Sequence, residues 1–260
     1  MIRFLVVRAV LVSLTVLVAA SLPAAAQQAE RKFPPDSLTN LKSFPKNIAV
    51  RALIDSMRGF TFALGVRCEY CHVGEAGRPL TTFDFASDDK RTKRTARVML
   101  DMVKHINGRH LREVPERSSP ALRVTCETCH RSRARPERLQ DVLARQLADS
   151  GLDAAVRLDG RLREQYYGGQ AFDFREVTLN RFAGDLARTG QPDNALAIAR
   201  LNGEQFPASG QPLVVMGEAD LAKGDTASAV ASWRAAVAKD TTLGAQLRRR
   251  LQLLGVGGGE

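Results

Sequence analysis

The sequence predicts an all-α protein made of two unlike helical halves. Three observations carry that reading. Apolar residues recur at helical spacing through most of the chain. A five-residue segment, Cys-x-x-Cys-His, occurs twice in the N-terminal half and uses all four cysteines. The C-terminal half contains no cysteine and repeats itself with a period of 34 residues. The expected organisation is a signal peptide over 1–26, a leader over 27–47, a helical domain bearing both Cys-x-x-Cys-His segments over 48–140, a helical repeat domain over 141–255 and a flexible tail over 256–260.

The N-terminus carries Arg3 and Arg8, an apolar run from Ala9 to Leu22 and small residues at Ala24, Ala25 and Ala26. A basic start, a short apolar core and an Ala-x-Ala end are the parts of a secretory signal peptide, with cleavage expected after Ala26. The run is short for a bilayer span, and no other segment is apolar enough to be one. The expected location is therefore extracytoplasmic, in the periplasm, either soluble or peripherally attached to the inner membrane.

Residues 27–47 are rich in Gln, Pro, Ser, Asn and Lys and lead into the fold. Leu53, Met57, Phe60 and Leu64 share one helical face, and Gly65 is placed to end that helix. After the first Cys-x-x-Cys-His comes a loop, then a second helix within "SDDKRTKRTARVMLDMVKHING". Ser87 is its expected N-cap, Asp88 and Asp89 suit its positive start, and Asn107–Gly108 suit its end. Its apolar face runs through Ala96, Met99, Val103 and Ile106.

In the second half, aligning Gly190 with Gly224 matches Leu179 to Leu213, Phe182 to Met216, Ala183 to Gly217 and Ala195 to Ala229. A 34-residue period with small residues where helices cross is the signature of tetratricopeptide (TPR) repeats. Two repeats are few for an independent solenoid, so this half is expected to pack on the first half or on a partner.

Cys-x-x-Cys-His is the attachment site of a c-type haem. Both thiols add across the haem vinyl groups, and the adjacent imidazole reaches the iron. Cys68 and Cys71 would hold one haem with His72 as axial ligand; Cys126 and Cys129 would hold a second with His130. One zinc ion bound by four thiolates, two redox disulfides and structural disulfides are the competing readings. None of them gives a reason for a histidine after both pairs. Met57 and Met99 are the candidate sixth ligands, with Met102, His105 and His110 as competitors at the second site. Methionine opposite histidine raises the potential and closes the iron, which favours electron transfer; core packing is the plainer role for either side chain.

Charge divides the chain. Residues 27–140 hold 22 basic and 13 acidic side chains, a net +9, whereas 141–260 hold 14 and 15, a net −1. An exported basic protein does not meet genomic DNA, so nucleic acid is excluded and acidic or membrane-bound redox partners are expected. Arg131 and Arg133 are candidate partners for haem propionates, and the rest of "KRTKR" and "RSRAR" could steer a partner. No nucleophilic triad, phosphate loop or paired carboxylate stands out. A haem enzyme with one open iron position, and an assembly adaptor working through the TPR-like half, are the rival functions.

"FPKNIAV", "MRGFTFALGVRCEYCH", "FASDDKRTKRTARVMLDMVKHIN" and "VTCETCH" together resemble the tetrahaem cytochrome subunit of photosynthetic reaction centres and its non-photosynthetic relatives, over roughly residues 44–134. The resemblance implies that helices preceding the haem sites supply axial methionines, here Met57 and Met99. It also implies electron transfer rather than catalysis, with redox proteins as partners. The chain departs from that pattern in having two haem motifs rather than four, no lipid-anchor cysteine after the apolar run, and a TPR-like tail.

Overall fold

The computed structural model describes residues 32–116 and 118–256, so the expected signal peptide and the tail beyond Val256 lie outside the described residues. The described chain is helical throughout, with a lone antiparallel bridge between Val73 and Asp84 and no strand. Among the described residues no helix is long and apolar enough to cross a membrane.

Helix α1, Val50–Leu64, ends where expected: Gly65 adopts φ 65° and its N–H turns back to the Phe62 carbonyl. A 3-10 turn, Cys68–Tyr70, carries the first thiol. Helix α2, Arg91–His105, starts later than the sequence suggested. Ser87 does not cap it; its hydroxyl accepts from Asp89 N–H at 3.1 Å. The reason is Lys93, whose ammonium donates to the carbonyls of Phe85, Ala86 and Ser87 at 2.8, 3.0 and 2.7 Å. Residues 85–87 wrap that cation instead of forming the first helical turn. The C-terminus also differs from expectation: α2 runs through a π turn, Ile106–His110, into Leu111–Glu113. Asn107, expected to stop the helix, bonds to the chain ahead of the second motif. Helix α3, Cys126–His130, is that motif itself, capped by a reciprocal Thr125–Thr128 box.

The C-terminal half comprises α4 (Leu139–Ser150), α5 (Leu152–Tyr166), α6 (Glu176–Arg188), α7 (Pro192–Gln205), α8 (Gln211–Ala222), α9 (Thr226–Lys239) and α10 (Gly244–Leu253). Hairpins α6–α7 and α8–α9 have their matched glycines in the left-handed conformation, Gly190 at φ 79° and Gly224 at φ 82°. The matched small residues lie where helices press together. Ala183, Ala195 and Ala229 are fully buried, and a Cβ on Gly217 would sit 2.3 Å from the Trp233 Nε1. The core runs from Leu139 and Leu143 of α4 through α6 and α7 to Ala219, so α4 joins this half rather than the preceding one.

The two halves are built differently inside. Among described residues 32–138 only Ala63 and Phe83 are buried; every other buried apolar side chain belongs to residue 139 or beyond. The apolar faces of α1 and α2 are turned towards a cavity.

Candidate functional site

Each Cys-x-x-Cys-His segment is held by its neighbours. At the first, Thr92 at the start of α2 donates its hydroxyl to the Tyr70 carbonyl between the two cysteines. Phe85 packs edge-on against His72 with centroids 5.0 Å apart, and Phe83 stacks on Phe85 at 5.6 Å. The Lys93 cage fixes the loop bearing these rings. Burial, followed by the nearby Lys93 charge, pulls the His72 pKa down to about 4. The imidazole is thus neutral over the physiological range, the form that binds a metal. Its Nδ1 is buried with no hydrogen-bond partner.

At the second segment, Asn107 reaches from the π turn to Val124. Its Oδ1 accepts from Val124 N–H at 2.9 Å, and its Nδ2 donates to the Val124 carbonyl at 2.7 Å. This pair fixes the chain just ahead of the Thr125 cap. Beyond α3, Arg131 and Ser132 adopt φ 49° and 63°, turning the chain so that Ser132 N–H donates to Ala63 O of α1 at 2.9 Å. His130 Nδ1 lies 2.8 Å from the Arg133 carbonyl. A carbonyl only accepts, so Nδ1 carries the proton and Nε2 keeps its lone pair for a ligand.

One cavity of about 990 Å³ touches Met57, Cys68, Cys71, His72, Met99, Cys126 and His130. That is the upper end of the ~300–1,000 Å³ range of small-molecule sites. Its remaining walls are largely apolar: Leu53, Phe60 and Leu64 from α1, Ala96 and Leu100 from α2, and Phe83 and Phe85 from the loop. Phe33, Leu38, Leu41 and Phe44 also line it, so the segment expected to be a mere leader forms part of the wall. Composition concealed this role, because four apolar residues scattered among prolines and lysines give no periodic signal. Met102, His105 and His110 are exposed and do not line the cavity.

The rival cysteine chemistries find little support. All four cysteines are free. No group of three or more His, Cys, Asp or Glu side chains among the described residues is placed to hold a metal ion alone. Burial raises the pKa of both Cys71 and Cys126, the reverse of the depressed values of redox-active thiols. Free thiols at Cys68, Cys71 and Cys126 line the apolar cavity with His72 and His130, whereas Cys129 is exposed and does not line it. Thiols with an adjacent imidazole are the donor set that a covalently held haem would need.

Cations crowd the cavity. Lys42, Arg58, Arg67, Arg91, Lys93, Arg97 and Arg135 line it, against Asp84 as the acid on its wall. Several already have work. Asp88 gathers Arg97 at 2.8 Å, Lys42 at 2.8 Å and Lys93 at 3.4 Å, and its hydrogen bond from Arg97 is the largest cause holding its carboxyl far below the usual range. Sequence reasoning missed this hub because Asp88 was assigned to a helix start. Arg133, expected near a propionate, instead lies over the Phe172 ring at 3.8 Å and does not line the cavity. Arg135 does line it, paired with Glu137 at 3.2 Å.

Comparison with known families gives a match over residues 24–154 to the family described as photosynthetic reaction centre cytochrome C subunit. The matched span covers the whole cavity and α4, and ends at the start of α5. No curated protein and no solved structure matches the chain.

Proposed function

The chain belongs to the photosynthetic reaction centre cytochrome C subunit family, a family of haem-bearing electron carriers, and from that premise we propose that it is an extracytoplasmic dihaem c-type cytochrome. It passes single electrons between redox protein partners, and its TPR-like half makes contacts with protein. When bound, the haems supply the redox centre; the protein holds them, sets their potential and excludes water.

The observation that carries the reading is the joint placement of Cys68, Cys71 and Cys126, both motif histidines and both candidate methionines on one apolar cavity, with Cys129 exposed and off its wall. Cys68 and Cys71 would hold the first haem, with His72 and Met57 as its axial pair. Cys126 and Cys129 would hold the second, with His130 and Met99. The preference for Met99 over Met102, His105 and His110 rests on position, since Met99 alone of the four reaches the cavity wall. Arg67 and Arg91 reach the same wall, where propionate carboxylates would find them.

The test is the mass of the full chain produced with cytochrome maturation machinery in an oxidising compartment. Two added porphyrins, and spectra with histidine–methionine coordination, are the expected result. A chain that matures with no added mass overturns the proposal.

A further inference from the structure

We infer that Arg133 is a positioning residue through which the C-terminal helical half sets the potential of the second haem; the inference rests on His130 being that haem's axial ligand. Arg133 holds two roles in one residue. Its backbone carbonyl accepts a hydrogen bond from His130 Nδ1–H at 2.8 Å. Its guanidinium lies 3.8 Å from the centroid of Phe172 and donates to the Glu137 carbonyl at 3.1 Å.

Phe172 is no loose surface ring. It is 6% exposed, belongs to the core containing Leu139, Leu143 and Phe182, and meets Tyr166 and Phe174 edge-on. The carboxylate of Glu137 is also fixed, by both terminal nitrogens of Arg145 on α4, at 2.9 and 3.2 Å. The side chain of Arg133 is therefore held by Phe172 of the second half and by Glu137, which Arg145 ties to α4, while its carbonyl faces the histidine of the first. Arg131 and Ser132, both in the left-handed conformation, leave the intervening turn little freedom of its own. A shift of the helical half moves the Arg133 carbonyl.

The consequence follows from ligand chemistry. A hydrogen bond from the far imidazole nitrogen fixes the ring and makes the ligating nitrogen more basic. A more basic ligand favours the oxidised iron, so weakening this bond raises the potential. His72 differs: its Nδ1 finds no hydrogen-bond partner, and the ring packed against it is Phe85, of the first half. The first haem is thus an internal control.

The experiment uses the full-length holoprotein and follows both one-electron waves by spectroelectrochemical titration, with the second wave assigned through its response to Met99→Ala. Arg133→Ala and Phe172→Leu should move the second wave upward by a three- to tenfold change in its redox equilibrium, which is about 28–59 mV for one electron. The first wave should stay in place, and Phe172→Tyr, which keeps the ring, should restore the second. Two attached haems with an unmoved second wave in Arg133→Ala overturn the inference and leave the dihaem reading intact, as does an equal shift of both waves. A wild-type chain without a second haem removes the reading itself, and mass spectrometry shows that before any titration. Should Phe172→Leu fail to fold, Arg133→Ala, which removes a guanidinium from over the Phe172 ring but leaves the core side chains in place, decides alone.

Discussion

Two glycines on or beside one helix should respond to the same substitution with opposite signs. Gly65 caps α1 at φ 65°, and a Cβ there would sit 2.1 Å from the Ser132 carbonyl oxygen and 2.8 Å from its carbon. Those are backbone atoms of the turn after His130, and they cannot rotate aside. Gly65→Ala therefore combines three costs. The left-handed conformation costs an ordinary residue about 1–2 kcal/mol. Relieving the clash costs about 1–3 kcal/mol. The Ser132 N–H to Ala63 O bond, lost as the turn is pushed away, contributes about 1 kcal/mol. Partial relaxation shares these, so about 3 kcal/mol is expected. Gly59, inside α1, has nothing within 4 Å of a new Cβ. Gly59→Ala gains the helix propensity difference and should stabilise by about 0.5–1 kcal/mol. Urea unfolding of the two holoprotein variants against wild type measures both. If Gly65→Ala loses less than about 1 kcal/mol, the close packing of α1 on the turn beyond the second motif is wrong, and with it the juxtaposition of the two haem segments.

Other expectations concern separate parts of the molecule. Met99→Ala should lower the potential of the second haem by part of the ~0.8 V range that axial ligands span, while Met102→Leu, which is exposed and off the cavity, should leave the visible spectrum unchanged. Asn107→Ala strips Val124 of both its partners and should cost about 1–3 kcal/mol in urea unfolding, with reduced haem occupancy at Cys126 and Cys129 by mass spectrometry. Asp159 is fully buried, and burial raises its pKa above 3.8, with only the Gln205 amide, at 2.7 Å, donating to it. A carboxyl whose folded pKa is raised adds most stability below its unfolded value and loses it as pH climbs from there through the folded value. The urea midpoint should therefore fall over that rise in pH, and Asp159→Asn should flatten this part of the profile and stabilise the protein at neutral pH.

The two Cys-x-x-Cys-His segments stood out in the sequence because the chemistry proposed for them demands three residues at fixed spacing, a signal independent of tertiary context. The repeat was legible for a related reason: Ala183, Ala195, Gly217 and Ala229 are small because helices cross there, and period carries the signal. What escaped the sequence was long-range satisfaction of polar groups. Asp88 read as a helix N-terminal acid because its local neighbours are Ser87 and Lys90, yet its partners Lys42 and Arg97 come from distant parts of the chain. Asn107 beside Gly108 has the form of a helix stop, but its amide is used 17 residues away, and the helix yields by a π turn. Arg133 read as a candidate propionate partner because nothing in its own segment announces Phe172.

The difference in interior between the halves shows why these polar contacts fall where they do. From residue 139 onward, apolar side chains pack on one another, and repeat geometry is enough to place them. From 32 to 138 the apolar faces of α1 and α2 look across a cavity, with Ala63 and Phe83 alone buried among the described residues. Fixing a residue's backbone costs about 1–2 kcal/mol, and burying one phenylalanine at about 1.5–3 kcal/mol and one alanine methyl at about 0.8 kcal/mol offsets only a few such residues. Direct packing between helices therefore does not explain the arrangement of this half. The Asp88 hub, the Lys93 cage, the Asn107–Val124 pair and the Arg133 anchor are the devices that hold its walls in register. A covalently held, largely apolar cofactor would complete the core that those walls enclose, which makes assembly of the site and folding of this half a single event.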